Sequence, residues 1–452
     1  QLGDFKAIEA YGKVFLASNL PATFKSEVNQ ILAKSKTAAI EDIATTAVTE
    51  TGDVISGLLR VADENKGQEV GEKALYGAFT AAREKRDLKS EREIGERFLQ
   101  EYPKSQFLSD VMLTLGRHAA EAGRFADAAG FYERMGRQFS GDAAGLDSLM
   151  ASARLRMAMG DFPLAIKTLE AAVDQSGSRK AEVLVQLAQA HQKAQAPSRA
   201  RAIAEQALKI DRTNAAAAAI VAEVATANAS ERVEPLVSMV TQVASAPGAG
   251  GEDLAKALWH VADLMYRQFK ALPLTSIDEK VSQLQQLQPL LQQAAQQGAP
   301  EWSVASLWRI GSALVHVADA VEATPVPASL KPQEVDLFRA AVKEKTDPLR
   351  ANAATTFEKC VAAADTNGIF TPAVIGCRKR TDEAASPIRA PGAERAANVG
   401  DLQKKTESSH AAVDFEALGM AYLSAGQVRN AILALNRTIE IDENNVSARN
   451  AL

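Results

Sequence analysis

Aromatic side chains are scarce here: Trp, Tyr and Phe make up 5% of 452 residues, although 46% of the chain is apolar. A core of that kind is built from Ala, Leu and Val, which suits close helix packing and gives little support to a β-sandwich. Histidine is sparse as well. His118, His191, His260, His316 and His410 stand apart, none with a Cys, Asp, Glu or second His at ligand spacing on one helix face, so no metal site is expected. His191 reads instead as a buried or half-buried packing residue. The glycine-rich run Ala246–Gly251 lacks the Lys-Ser/Thr end of a phosphate loop, and no Gly-x-Ser-x-Gly elbow occurs. No residue set stands out for catalysis, and neither an enzyme nor a cofactor is expected. An excess of positive charge is also missing: the net charge is −5, and nucleic-acid binding needs a basic footprint. The short run Arg378-Lys-Arg380 reads as a solvated helix face. No apolar run approaches the length of a bilayer span, so no transmembrane segment is expected.

Cysteine is limited to Cys360 and Cys377. Thr356–Ala364 reads as helix, Asp365-Thr-Asn-Gly368 as its stop and Thr371-Pro372 as the next helix start. The two cysteines then lie about equally far from the turn of a hairpin. Each sits three residues from an apolar partner, Phe357 or Val374. Two readings stay open: a disulfide worth roughly 3 kcal/mol by loop closure, which would imply an oxidising compartment, or two buried free thiols packing as small hydrophobes.

What the chain does contain is a recurring pair of helices. Leu115-Gly116, Gly123-Arg124-Phe125, Ala128 and Tyr132 form one copy, and Leu418-Gly419, Tyr422, Gly426, Ala431 and Leu435 another. Weaker copies run through Leu149, Gly160-Asp161-Phe162, Ala165, Leu169 and Ala172, and through Leu184, Leu187-Ala188, Ala200 and Ala207. Small residues sit where two helices must approach closely, and larger ones fill the space between hairpins. A single hairpin cannot bury its apolar face, so neighbours must stack. The unit resembles the tetratricopeptide repeat (TPR), a helix–turn–helix of about 34 residues. That resemblance implies an all-α fold, a TPR-type α-solenoid of helical hairpins with a less regular helical middle domain.

Residues 1–71 read as degenerate helical repeats, with Asp53 as an N-cap, and 72–227 as the TPR array. A helical middle domain with the cysteine hairpin covers 228–385, residues 386–410 form a Pro-, Gly-, Arg- and Lys-rich linker, and 411–452 form a C-terminal TPR unit. Within the middle domain, helices are expected over Asp253–Leu272, Ser276–Gln297 and Trp302–Val321, the second with Leu284, Leu287, Leu290 and Leu291 on one stripe. The opening Gln1–Phe5 resembles a turn inside a repeat, and Val446–Leu452 looks like the start of another helix, as in a segment of a longer chain.

Two further resemblances suggest a setting. The ending Phe98-Leu-Gln-Glu-Tyr-Pro103-Lys-Ser105 is similar to the close of TPR units in bacterial envelope proteins. The stretch carrying Pro325, Pro327, Leu330, Glu334, Phe338, Pro348-Leu349, Phe357-Glu358 and Ala362 resembles a segment of large deltaproteobacterial TPR proteins, a group that includes gliding-motility proteins of the envelope. Together they imply a non-enzymatic scaffold of a bacterial cell-envelope complex, periplasmic or envelope-associated, in gliding motility or trans-envelope assembly. A cytoplasmic TPR regulator sensing a peptide, or an accessory domain of a larger envelope enzyme, remain alternatives.

In TPR proteins the first helix of each unit lines a concave groove. Carried onto this chain, groove positions fall on Leu113, Arg117, Met150, Arg154, Met157, Gln186, Gln189, Gln192 and Lys193. Two arginines flanked by Leu and Met suit an extended peptide with an acidic group. The alternative is ordinary surface charge paired with neighbouring acids. The clamp that the family uses for chaperone C-termini needs Lys and Asn where this chain has Leu113 and Arg117, which argues against chaperone docking. The implied partners are protein segments, with an acidic peptide the best fit.

Overall fold

The computed structural model describes residues 5–18, 21, 23–32, 34–35, 53–382, 399–409 and 411–452. Among the described residues every regular element is helical. Helices α1 (Phe5–Ala17) and α2 (residues 23–32) come first, with α3 (Val54–Glu64), α4 (Glu69–Glu84) and α5 (Leu88–Glu101) after them. Then come α6 (Leu108–Glu121), α7 (Phe125–Gln138), α8 (Ala143–Met159) and α9 (Phe162–Gln175). The chain continues through α10 (Lys180–Lys193), α11 (Pro197–Ile210), α12 (Ala215–Thr226) and α13 (Val233–Ala244). Longer helices are next: α14 (Glu252–Ala271), α15 (Ile277–Ala295), α16 (Pro300–Glu322), α17 (Pro332–Asn367) and then the short α18 (Pro372–Lys379). The last are α19 (Val399–Ser408), α20 (Ala412–Ser424), α21 (Val428–Ile441) and α22 (Val446–Ala451). Two compact units result, one from residues 1–168 with 393–452, the other from 169–392. Their boundary falls inside α9, whereas the sequence pattern suggested a change of character at residue 227.

In the first unit, successive helices pack as antiparallel neighbours from α3 to α8 around Leu75, Phe79, Phe98, Leu108, Val111, Met112 and Met135. Asp53 caps α3, its carboxylate accepting from Ser56 N at 2.9 Å. The close of α5 shows why its motif recurs. Phe98 is fully buried and packs at a tilt against Tyr102, whose hydroxyl accepts from Gly67 N at 3.3 Å. Pro103 follows the helix end, and Ser105 Oγ accepts from Phe107 N at 3.0 Å, turning the chain into α6. Phe107 then stacks on Tyr76 with centroids 4.1 Å apart.

The same unit contains the end of the chain. Residues 399–408, inside the range expected to be a linker, form α19, which packs on α5, while α21 packs on α8. Thr406 Oγ1 donates to Ala122 O at 2.7 Å and Tyr422 OH to Gly123 O at 3.1 Å. Phe125, Leu418, Tyr422, Ala431 and Ala434 form a small separate core there. Residues 386–398, the rest of that range, lie outside the described residues, as do His410 and the opening four residues.

One continuous core fills the second unit, from Leu184 to Cys377. The sequence reads 228–385 as a less regular middle domain, but helical hairpins go on there: α14 packs on α15, α15 on α16 and α16 on α17. Leu284, Leu287, Leu290 and Leu291 are buried, as their stripe required. Helix α16 departs from expectation. It is long and apolar enough to cross a bilayer by length and composition alone, yet it is mostly buried as the central helix of this core. Its Gly311 lets Phe357 approach so closely that a Cβ would lie 2.6 Å from the ring. Helix α17 runs unbroken for 36 residues with Pro348 inside it, so the cysteine hairpin is the end of one long helix. Gly368 stops it in the left-handed region (φ 63°). Cys360 and Cys377 are bonded, tying α17 to α18. Lys280 is fully buried; its Nζ donates to Phe269 O at 2.9 Å, near the negative end of α14, and lies 3.0 Å from His316 Nε2. Burial pushes the pKa of both Lys280 and His316 down.

Candidate functional site

The hairpins α6–α7, α8–α9 and α20–α21 are closed by the same turn. The amide of Arg124 donates back to Ala119 O at 2.8 Å, that of Asp161 to Arg156 O at 2.8 Å, and that of Gln427 to Tyr422 O at 2.8 Å. The residue before each is a glycine with positive φ: Gly123, Gly160 and Gly426. This is the six-to-one closure of a helix C-terminus, which needs a left-handed residue. Inside the hairpin, a Cβ on Gly116 would stand 2.7 Å from the Tyr132 ring, and one on Gly419 2.6 Å from Leu435. The small-to-large pairing of the repeat is therefore a real contact in both copies. The fold is of the TPR type.

In a TPR hairpin the first helix carries the ligand-facing positions, and α6, α8 and α10 hold those read from the sequence. In the first unit, Arg117 on α6 and Arg154 on α8 are exposed, and among the described residues neither has an ion pair or side-chain hydrogen bond. Leu113 is 37% exposed and Met157 half-buried. Met150 is a correction: at 1% exposure it belongs to the packing of the unit and has no surface to offer a partner. Other arginines are engaged, as Arg156 is with Glu133 at 2.6 Å and with Asp161 at 3.4 Å.

The second unit holds Gln186, Gln189, Gln192 and Lys193 on α10. Lys193 is exposed, and the three glutamines are half-buried. Gln192 hydrogen-bonds Glu223 on α12, so it serves the interior of this face. His191 is buried, as anticipated, and burial lowers its pKa. Beside Gln192 lies a cluster that the sequence reading missed. Glu223 pairs with Lys256 of α14 at 2.6 Å. Burial works to raise the Glu223 pKa, but the hydrogen bond and charge of Lys256 outweigh it and the pKa is lowered. Trp259 and His260 of α14 meet Trp302 of α16, with ring centroids 5.1 to 5.6 Å apart. Burial, the largest influence, pushes the His260 imidazole down to about 4. Two half-buried indoles beside a neutral imidazole and an ion pair form an apolar, stackable surface with polar edges. The available signal was a Trp near the start of two long helices after the repeat signature fades. No group of three or more His, Cys, Asp or Glu suited to a metal occurs among the described residues.

No protein-family model and no curated protein matches the chain. Among solved structures, it is similar to a tetratricopeptide repeat protein from Parabacteroides merdae ATCC 43184. That match has 12% identity and a TM-score of 0.32, and covers 62% of this chain and 98% of the other. It is also similar to the human IFIT1 dimer with m7Gppp-AAAA, at 10% identity and a TM-score of 0.28 over 97% of this chain and 95% of the other. Likenesses of this degree say nothing about ligand or partner.

Proposed function

We propose that the protein is a non-enzymatic scaffold of a bacterial cell-envelope complex that holds protein segments on the first helices of its TPR hairpins. The observation carrying this reading is the pair Arg117 and Arg154: equivalent positions on α6 and α8, and without acidic partners among the described residues. Arginine left unpaired on a repeat surface favours bidentate binding of a partner carboxylate, and Leu113 and Met157 supply adjacent apolar contact. A gliding-motility or trans-envelope setting rests on the Phe98–Ser105 close and the Pro325–Ala362 stretch. The Cys360–Cys377 bond supports an oxidising compartment.

Affinity capture with crosslinking from the source organism tests the groove. Arg117→Glu combined with Arg154→Glu is expected to abolish capture with helicity unchanged, and capture equal to wild type would refute the assignment. The compartment has its own test. Two reactive thiols counted under denaturing conditions, in protein recovered from its native location, would favour a cytoplasmic regulator instead.

A further inference from the structure

We propose that Lys280 and His316 form a pH-operated latch at the corner between α14 and α15. The latch holds the corner closed while the two side chains carry one positive charge between them, and it releases when acid adds a second. Lys280, in the first turn of α15, is fully buried, and lysine is rarely so unless an acid pairs with it. Among the described residues no carboxylate does. Its Nζ donates to Phe269 O at 2.9 Å, in the last turn of α14, and meets His316 Nε2 of α16 at 3.0 Å. The Phe269 ring stands 5.0 Å from Nζ and edge-on to the His316 ring, with centroids 5.1 Å apart. One buried amine thus ties three helices together.

The charges around the pair are committed elsewhere. On α14, Lys270 and Tyr266 both bind Asp382, which follows α18. On α16, Asp319 pairs with Arg350 of α17 at 2.8 Å. On α15, Glu279 is exposed. Burial, ahead of the charges of Lys280 and Lys270, disfavours a protonated His316, against the weaker pull of Asp319 and Asp382. Burial likewise disfavours the charged form of Lys280, and only Glu279 opposes it.

An ammonium can donate to Phe269 O and His316 Nε2 together only while Nε2 keeps its lone pair, that is, while the imidazole is neutral. Protonation puts an N–H where that lone pair was and sets two like charges 3.0 Å apart beside a fully buried side chain. The folded pKa of His316 lies below the ordinary 6.5. Its contribution is therefore complete above pH 6.5 and is lost as pH falls below it. Relief comes when Lys280 moves into water, which breaks its bond to Phe269 O and frees the corner. The connecting residues 272–276 are exposed or half-buried, so the corner can open without unfolding either helix. His260 lies earlier on α14, about 13 Å along the axis, and is no part of the latch.

The test is amide hydrogen exchange of the whole chain, read by mass spectrometry on peptides covering residues 266–283 and corrected for the intrinsic effect of pH. In wild type the opening constant of this corner is expected to rise about tenfold between roughly pH 7 and pH 5. His316→Gln keeps a neutral acceptor and cannot take a proton, so its rise is expected to stay below about twofold. Lys280→Met removes the ammonium that the imidazolium would face and is expected to show a smaller rise than wild type, which decides the matter if His316→Gln does not fold. His260→Phe is expected to keep the wild-type rise at the corner. The proposal is overturned if wild type shows no rise, if either latch variant shows the full rise, or if His260→Phe abolishes it.

Discussion

Arg92 Nη1 lies 3.0 Å from Glu407 Oε1, 315 residues later in the chain. The same carboxylate oxygen is 3.3 Å from Arg124 Nε, and the Glu407 side chain is only 10% exposed. One carboxylate between two arginines thus anchors α19, with Thr406 and Tyr422 binding carbonyls of the α6–α7 turn beside it. Removing Glu407 leaves both guanidinium groups facing a partly desolvated gap, a loss of about 2 kcal/mol. Glu407→Ala is therefore expected to speed amide hydrogen exchange in α20 and α21 by roughly thirtyfold while leaving α10–α16 unaffected. Unchanged exchange in α20 and α21 would show that this ion cluster does not hold the last hairpin.

Two glycines should respond to alanine with opposite signs. A Cβ on Gly116 would press against the Tyr132 ring at 2.7 Å, so Gly116→Ala is expected to destabilise the first unit by about 1–3 kcal/mol. A methyl group placed on Gly130, within α7, would meet nothing within 4 Å. There alanine only restricts the unfolded chain and improves helix propensity, for a gain of roughly 0.5–1 kcal/mol. Chemical denaturation of the two variants measures both; equal signs would contradict the contact assigned to Tyr132.

The bond between Cys360 and Cys377 closes a short loop, the two positions being 17 apart. By chain entropy it contributes about 3 kcal/mol to the second unit. All three tryptophans, Trp259, Trp302 and Trp308, lie in that unit, so their fluorescence reports its unfolding. Replacing both cysteines by serine is expected to lower the tryptophan-detected midpoint, with little change in exchange rates of α4–α7. An unchanged midpoint would show that helix packing alone holds α18.

Stability of the second unit should also depend on pH. Burial, more than any neighbour, depresses the His260 pKa to about 4; the charges of Glu223 and Asp263 oppose this, and Lys256 and Arg267 assist it. A depressed histidine is favoured neutral in the fold. Its contribution is complete above the ordinary value near 6.5 and is lost as pH falls from there toward 4, because the unfolded chain takes a proton that the folded one refuses. His191 and His316 are shifted in the same direction. His260→Phe should therefore lose less tryptophan-detected stability between about pH 7 and pH 4.5 than wild type. A parallel loss in both proteins would assign the pH dependence elsewhere.

Much of the local structure was legible in the sequence. The Asp53 cap, the stop at Gly368 and the leucine stripe of α15 all act within a few residues of themselves. Burial was less legible. Met150 reads as a groove residue by register, but packing buried it. The aromatic cluster of Trp259, His260 and Trp302 lay beyond the point where the repeat signature fades, so no register led to it.

The sequence by itself determined that this chain forms helical hairpins, because helix period, caps and left-handed turn residues are decided by short-range sterics and hydrogen bonding. Tertiary structure alone decided which faces remain open. The last hairpin lies against the first unit, and Arg117 and Arg154 are left without partners among the described residues. Those outcomes depend on surfaces that exist only after the helices have packed, between residues whose separation along the chain carries no local signal.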